Sequence, residues 1–156
     1  MDMAFAHFLT HQVLFGALAA AGFGVLFNIG PKTLVWAAAA GALAVGVRTL
    51  GQEAGWSLEA ASFAAAFSAS FAVRFVRLWL GAARNAVALA GCIPMVPGAF
   101  LSQAILGLFA VTAPQPDNEL ATIVLAMEYM LRVIFTLGAI GAGLAIPIYL
   151  LKTRDF

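Results

Sequence analysis

The sequence predicts an all-α fold. We read a polytopic membrane helical bundle of five transmembrane helices, one transmembrane domain over residues 1–156, with the N-terminus outside and the C-terminus in the cytoplasm. Three observations predict it. Of the 156 residues, 63% are hydrophobic and 10% charged, with mean hydropathy +1.00, whereas a soluble domain carries about 25% charged residues. Five apolar stretches can be drawn, each close to the length of about 20 residues that crosses a bilayer. The basic residues between them fall on one side and the acidic ones on the other.

The first segment runs from Phe8 to Phe27 and ends at Asn28-Ile29-Gly30-Pro31-Lys32, a strong turn signal. Gly16, Ala20 and Gly24 recur at every fourth position and make one smooth stripe for close helix packing. Asp2 stands where a cleavable signal peptide would carry positive charge, so this segment is read as a retained helix. The second runs from Thr33 to Leu50, opening after Pro31 and carrying Arg48 near its end. Ala38, Ala42 and Gly46 repeat the every-fourth pattern there, and a short loop with Gly51, Gln52, Glu53 and Gly55 follows. The third runs from Ser57 to Leu80, with Arg74 and Arg77 one turn apart. Ser57 is its expected N-cap, and Glu59 suits the positive end of the helix.

The fourth segment, Ala86 to Ala113, contains Gly91-Cys92-Ile93-Pro94-Met95-Val96-Pro97-Gly98. Each proline lacks an N–H and clashes with the carbonyl four residues back, so the helix should be broken at Pro94–Pro97. Pro97-Gly98 can open a second half-helix, with proline at its first position. At membrane depth such exposed backbone is tolerated where it is buried in protein or lines a polar cavity, and a broken helix points to a transporter binding site. The plainer alternative is a proline kink. The linker Ala113-Pro114-Gln115-Pro116-Asp117-Asn118-Glu119 then leads to the fifth segment, Leu120 to Leu151. It carries Glu128 and Arg132 at i and i+4, and the small pairs Gly138/Ala142 and Ala139/Gly143.

Topology follows from the loops. Lys32, Arg77 with Arg84, and Lys152 with Arg154 fall on one side; Glu53 with Glu59, and Asp117 with Glu119, fall on the other. Five crossings keep that alternation, and the basic side is cytoplasmic.

The chemistry is constrained as much by what is missing. A net charge of +1 without a basic run argues against nucleic acid. Cys92 stands alone, so neither an intrachain disulfide nor a cysteine metal site is expected. The sequence lacks nucleophile, zinc-protease and phosphate-loop motifs, so we expect no enzyme and no cofactor or metal. His7 and His11 read as interfacial residues rather than ligands. Ionisable residues inside a span are costly and face the bundle interior or a water path. That singles out Glu128 as a proton-coupling residue, with internal pairing to Arg132 as the alternative. Arg48, Arg74 and Arg77 read as snorkelling residues near the boundaries, and Arg74, one turn deeper, is the better candidate for a substrate carboxylate. Ser102 and Gln103 fall in the first turns of the second half-helix, where they can hydrogen-bond a ligand at its positive end. The expected binding set is Pro94, Pro97, Gly98, Ser102, Gln103, Arg74 and Arg132.

Gly22-Phe23 with Phe27-Asn28, then Leu34, Trp36, Gly41 and Arg48, and above all Ile93-Pro94-Met95-Val96-Pro97-Gly98, resemble the threonine/serine exporter family. Nearly the whole chain is similar to its small five-helix subunit, the counterpart of one component of a two-component bacterial exporter implicated in succinate efflux. The resemblance implies a larger five-helix partner subunit in a bacterial inner membrane. It also implies export driven by an ion gradient. The expected function is therefore that of a membrane subunit of a secondary exporter of small carboxylate solutes, either succinate-type dicarboxylates or threonine and serine. The alternative is a structural or assembly subunit without its own substrate site. Helices rich in Gly and Ala stripes need more surface than five helices offer one another, so an oligomer is expected. Arg48, Arg74, Arg77 and Arg132 against Glu128 alone favour the dicarboxylate, because little acid is left to hold an ammonium.

Overall fold

The computed structural model describes residues 3–76, 83–111 and 119–150. All regular structure among them is helical: α1 (Met3–Leu26), α2 (Pro31–Glu53), α3 (Leu58–Phe75), α4 (Arg84–Cys92), a 3₁₀ turn (Ile93–Met95), α5 (Gly98–Val111) and α6 (Glu119–Leu150). α1, α2 and residues Leu120–Leu150 of α6 are each long and apolar enough to cross a membrane, and α4 with α5 makes a fourth span if the broken pair counts as one. Three to four of the expected five spans are thus seen among the described residues. α3 falls short because it has 18 residues that include Glu59, three serines and Arg74. Its expected continuation through Arg77 to Leu80 lies outside the described residues, as do Asp117 and the tail with Lys152 and Arg154.

Local signals explain most of the boundaries. Asn28 takes φ 54° in the turn after α1, and Pro31 opens α2, where its missing N–H is one the first turn leaves free anyway. Ser57 Oγ accepts from Ala60 N–H at 3.2 Å, capping α3 with Glu59 in its first turn. Gly51, Gln52 and Glu53 are helical rather than loop; α2 stops only at Ala54, and Gly55 supplies the left-handed φ of 84° that the exit needs.

The chain forms two compact units, Met1–Met95 with Ala139–Phe156, and Val96–Gly138. In the first, α2 packs against α1, α3 and α4. The approach is close because the facing residues are small. A Cβ on Gly41 would collide with Ala20 Cβ and meet Gly16 O at 2.7 Å, and one on Gly91 would meet Ala40 Cβ at 2.7 Å. The stripe of Gly16, Ala20 and Gly24 is buried as expected. On α2 the buried face is Ala37, Ala40, Gly41 and Ala44 instead of Ala38 and Ala42, though Gly46 is buried. Within the same unit, a Cβ on Gly143 would meet Phe63 O at 2.6 Å, and Ser70 Oγ donates to Leu144 O at 2.9 Å. The 3₁₀ turn lies against this core, with Met95 and Cys92 buried among Ala44, Ala65, Ala66 and Ala69. In the second unit, a Cβ on Gly107 would meet Ala126 Cβ at 2.7 Å, and the Phe100 ring stacks on Tyr129 with centroids 5.8 Å apart.

Candidate functional site

The site grows from the interruption between α4 and α5. Pro94 sits inside the 3₁₀ turn and is half-buried, while Pro97 is buried immediately before α5. α5 begins at Gly98, one residue later than expected. Pro97 O accepts the first helical bond, from Leu101 N–H at 3.1 Å, and Gly98 N–H turns back to Val96 O at 2.8 Å. A Cβ on Gly98 would meet no atom within 4 Å, so the N-terminal end of α5 is open.

The carbonyl end of the first half-helix is held from outside. Arg48, on α2, donates from Nη1 to Met95 O at 2.6 Å. A helix end leaves its last carbonyls without intrahelical partners and carries partial negative charge, so a guanidinium there satisfies both needs. Beyond the expected place near the end of its helix, Arg48 thus caps the break. Its only polar contact among the described residues is this carbonyl, and no carboxylate lies within ion-pair distance. Sequence reasoning missed this because the two residues are 47 positions apart.

Beside Arg48 is a cavity of about 220 Å³, lined by Gln12 and Phe8 of α1, Val45, Thr49 and Gln52 of α2, and Pro94. Thr49 Oγ1 donates to Val45 O at 2.8 Å, which leaves its lone pairs as acceptors. The side-chain amides of Gln12 and Gln52 make no hydrogen bond among the described residues, and no acid lines the cavity. Gln12 went unnoticed in the sequence and Gln52 was read only as part of a loop, since each is an ordinary polar residue near a helix end until the fold brings them together.

The other expected residues divide between the two units. Gly98, Ser102, Gln103, Glu128 and Arg132 belong to the second, Arg74 to the first. Ser102 is exposed and its hydroxyl donates to Ala99 O at 2.9 Å, so that proton is already engaged. Gln103 is exposed on the same helix. Arg132 donates from Nε and Nη2 to Glu128 Oε1 at 3.1 and 3.0 Å, and its guanidinium carbon lies 5.8 Å from the centre of the Phe100 ring. Phe100 is in the first turn of α5, so the ion pair stands beside that open helix end. Both members are about half exposed on the chain, 46% and 52%. Arg74 occupies the last turn of α3, where its charge suits the helix end, and it lies near enough to Arg84 for the two charges to repel. Two other expectations concern α1, where the His11 ring packs 4.4 Å from Phe15.

No solved structure matches this chain. The sequence model of the family described as "Threonine/Serine exporter, ThrE" matches residues 12–150, which include the broken helix, the Arg48 cap and the Glu128–Arg132 pair. With its apolar spans, this multi-pass membrane protein belongs to the threonine/serine exporter family.

Proposed function

We propose that the chain is a subunit of a secondary exporter of small carboxylate solutes in a bacterial inner membrane, working with a larger five-helix subunit of the same family. The observation that carries the reading is the interrupted helix. Its carbonyl end is capped by an arginine without an acidic counter-ion among the described residues, and its N–H end is open beside an ion pair. Backbone of this kind at membrane depth is expected where it lines a polar path. Gly98, Ser102 and Gln103 then offer the substrate a positive helix end, with Pro94 and Pro97 maintaining the break. Arg132 supplies charge there and Glu128 carries the coupling proton, while Arg74 supplies positive charge at the end of α3. The partner is supported by the same ion pair, because charges half exposed on a spanning helix are too costly to leave against lipid. A succinate-type dicarboxylate is preferred over threonine or serine, since arginines outnumber the acids able to hold an ammonium.

The test is efflux from loaded cells carrying both subunits. Glu128→Gln should abolish export and Pro97→Ala should reduce it several-fold, at unchanged protein level. Intact efflux in both variants would favour a purely structural subunit.

A further inference from the structure

Arg48 has one hand occupied and one free. Nη1 is fixed on Met95 O, and this is the guanidinium nitrogen on the Cδ side. The opposite edge, formed by Nε and Nη2, is the fork that binds a carboxylate side-on with two parallel hydrogen bonds. Arg132 uses that same edge on Glu128. On Arg48 it makes no hydrogen bond among the described residues. An arginine in a spanning helix without an acid costs about 3 kcal/mol on insertion scales, and one carbonyl compensates for it only in part.

The cavity that Arg48 helps to line has the size and polarity of a small acid. At about 30 Å³ per water-sized unit, its volume of about 220 Å³ holds roughly seven such units. Succinate and threonine each have eight non-hydrogen atoms. The side-chain amides of Gln12 and Gln52, unpaired among the described residues, can donate and accept, and Thr49 presents an acceptor. Among the described residues no carboxylate competes for the arginine.

We propose that this cavity is a carboxylate-binding site, with the Nε–Nη2 edge of Arg48 as its anion fork and the Gln12 and Gln52 amides holding the far end of the ligand. The assignment rests on the exporter reading and gives its substrate a binding place within the first unit. A dicarboxylate suits it better than a zwitterion: the amide N–H groups can serve a second carboxylate, whereas an ammonium would find only neutral acceptors.

Equilibrium binding of labelled succinate and labelled threonine to the full chain in lipid nanodiscs tests the assignment, alongside melting temperature. Arg48→Lys keeps the charge and a donor for Met95 O but has no fork, and should weaken binding at least tenfold. Gln52→Glu leaves the Arg48 cap in place and sets a carboxylate in the cavity. It should weaken succinate binding at least tenfold while the melting temperature stays equal or rises. Threonine binding with the same sensitivity to both variants supports the site and replaces the dicarboxylate preference. Unchanged affinity for both ligands in both variants overturns the assignment. If export by the two-subunit system persists with unchanged KM in these variants, the exporter reading stands and the cavity falls. If the wild type neither binds nor exports either acid, both fall.

Discussion

Arg48 holds a carbonyl that the helix cannot hold itself, and Met95 O would otherwise be a buried-side acceptor left without a donor. Arg48→Ala should therefore destabilise the chain by about 2 kcal/mol, in the range for hydrogen bonds to charged groups, and Arg48→Lys by less. Thermal unfolding in detergent, read against a fixed lipid content, checks the order. Ser57 gives a calibrating case: losing its N-cap bond to Ala60 should cost about 1 kcal/mol. These two residues also mark how far the sequence was readable at this scale. A cap acts over three positions, so Ser57, and Pro31 after Gly30, could be placed from neighbours alone. Arg48 acts across 47 positions onto a carbonyl whose identity depends on how two prolines divide a helix. The same is true of Gln12 and Gln52, whose meaning comes from the cavity they share.

At the scale of elements, packing is set by where backbones touch. Gly41, Gly91 and Gly143 have backbone or Cβ atoms of another helix where a side chain would begin, whereas Gly138 and Gly22 have nothing within 4 Å. Gly91→Val should lower stability by about 2–3 kcal/mol, since the opposing atoms are Ala40 Cβ and the α2 main chain behind it, which cannot retreat. Gly138→Ala should be neutral or stabilising by up to about 1 kcal/mol, because helix propensity improves without a clash. Melting temperatures of the two variants, measured side by side, test the contrast. The every-fourth stripe identified the packed face of α1 correctly. On α2 it chose a row one position off, since the run from Ala37 to Gly46 is small on nearly every face and composition does not mark which one turns inward. On α6 both small pairs were legible, yet Gly143 is buried while Gly138 and Ala142 are exposed. The choice belongs to the neighbours.

At the scale of the molecule, much of the chain is unfinished as a surface. Leu106, Phe109, Val124, Phe135 and Tyr149 are each more than 60% exposed, which lipid can cover, but Glu128 and Arg132 are half exposed on the same helix as three of these. Lipid does not cover charges cheaply. The proposed larger subunit should therefore co-purify with this chain in mild detergent, and Glu128→Gln with Arg132→Gln should weaken that association as well as export. A monodisperse, fully active monomer would count against a partner. The all-helical membrane class and the family were readable from composition and from the Pro-Met-Val-Pro-Gly run. Three to four of the five expected spans are seen among the described residues; the described part of α3, with Glu59, three serines and Arg74, is more polar than α1, α2 and α6, and its expected end lies outside those residues.

The most direct measurement of the central claim is counterflow in proteoliposomes containing both subunits, with labelled succinate and labelled threonine run side by side. The account predicts exchange of a small carboxylate, succinate in preference to threonine, that is lost in Glu128→Gln. Threonine exchange without succinate exchange would contradict the substrate preference, and no exchange of either acid by the intact pair would contradict the exporter reading itself.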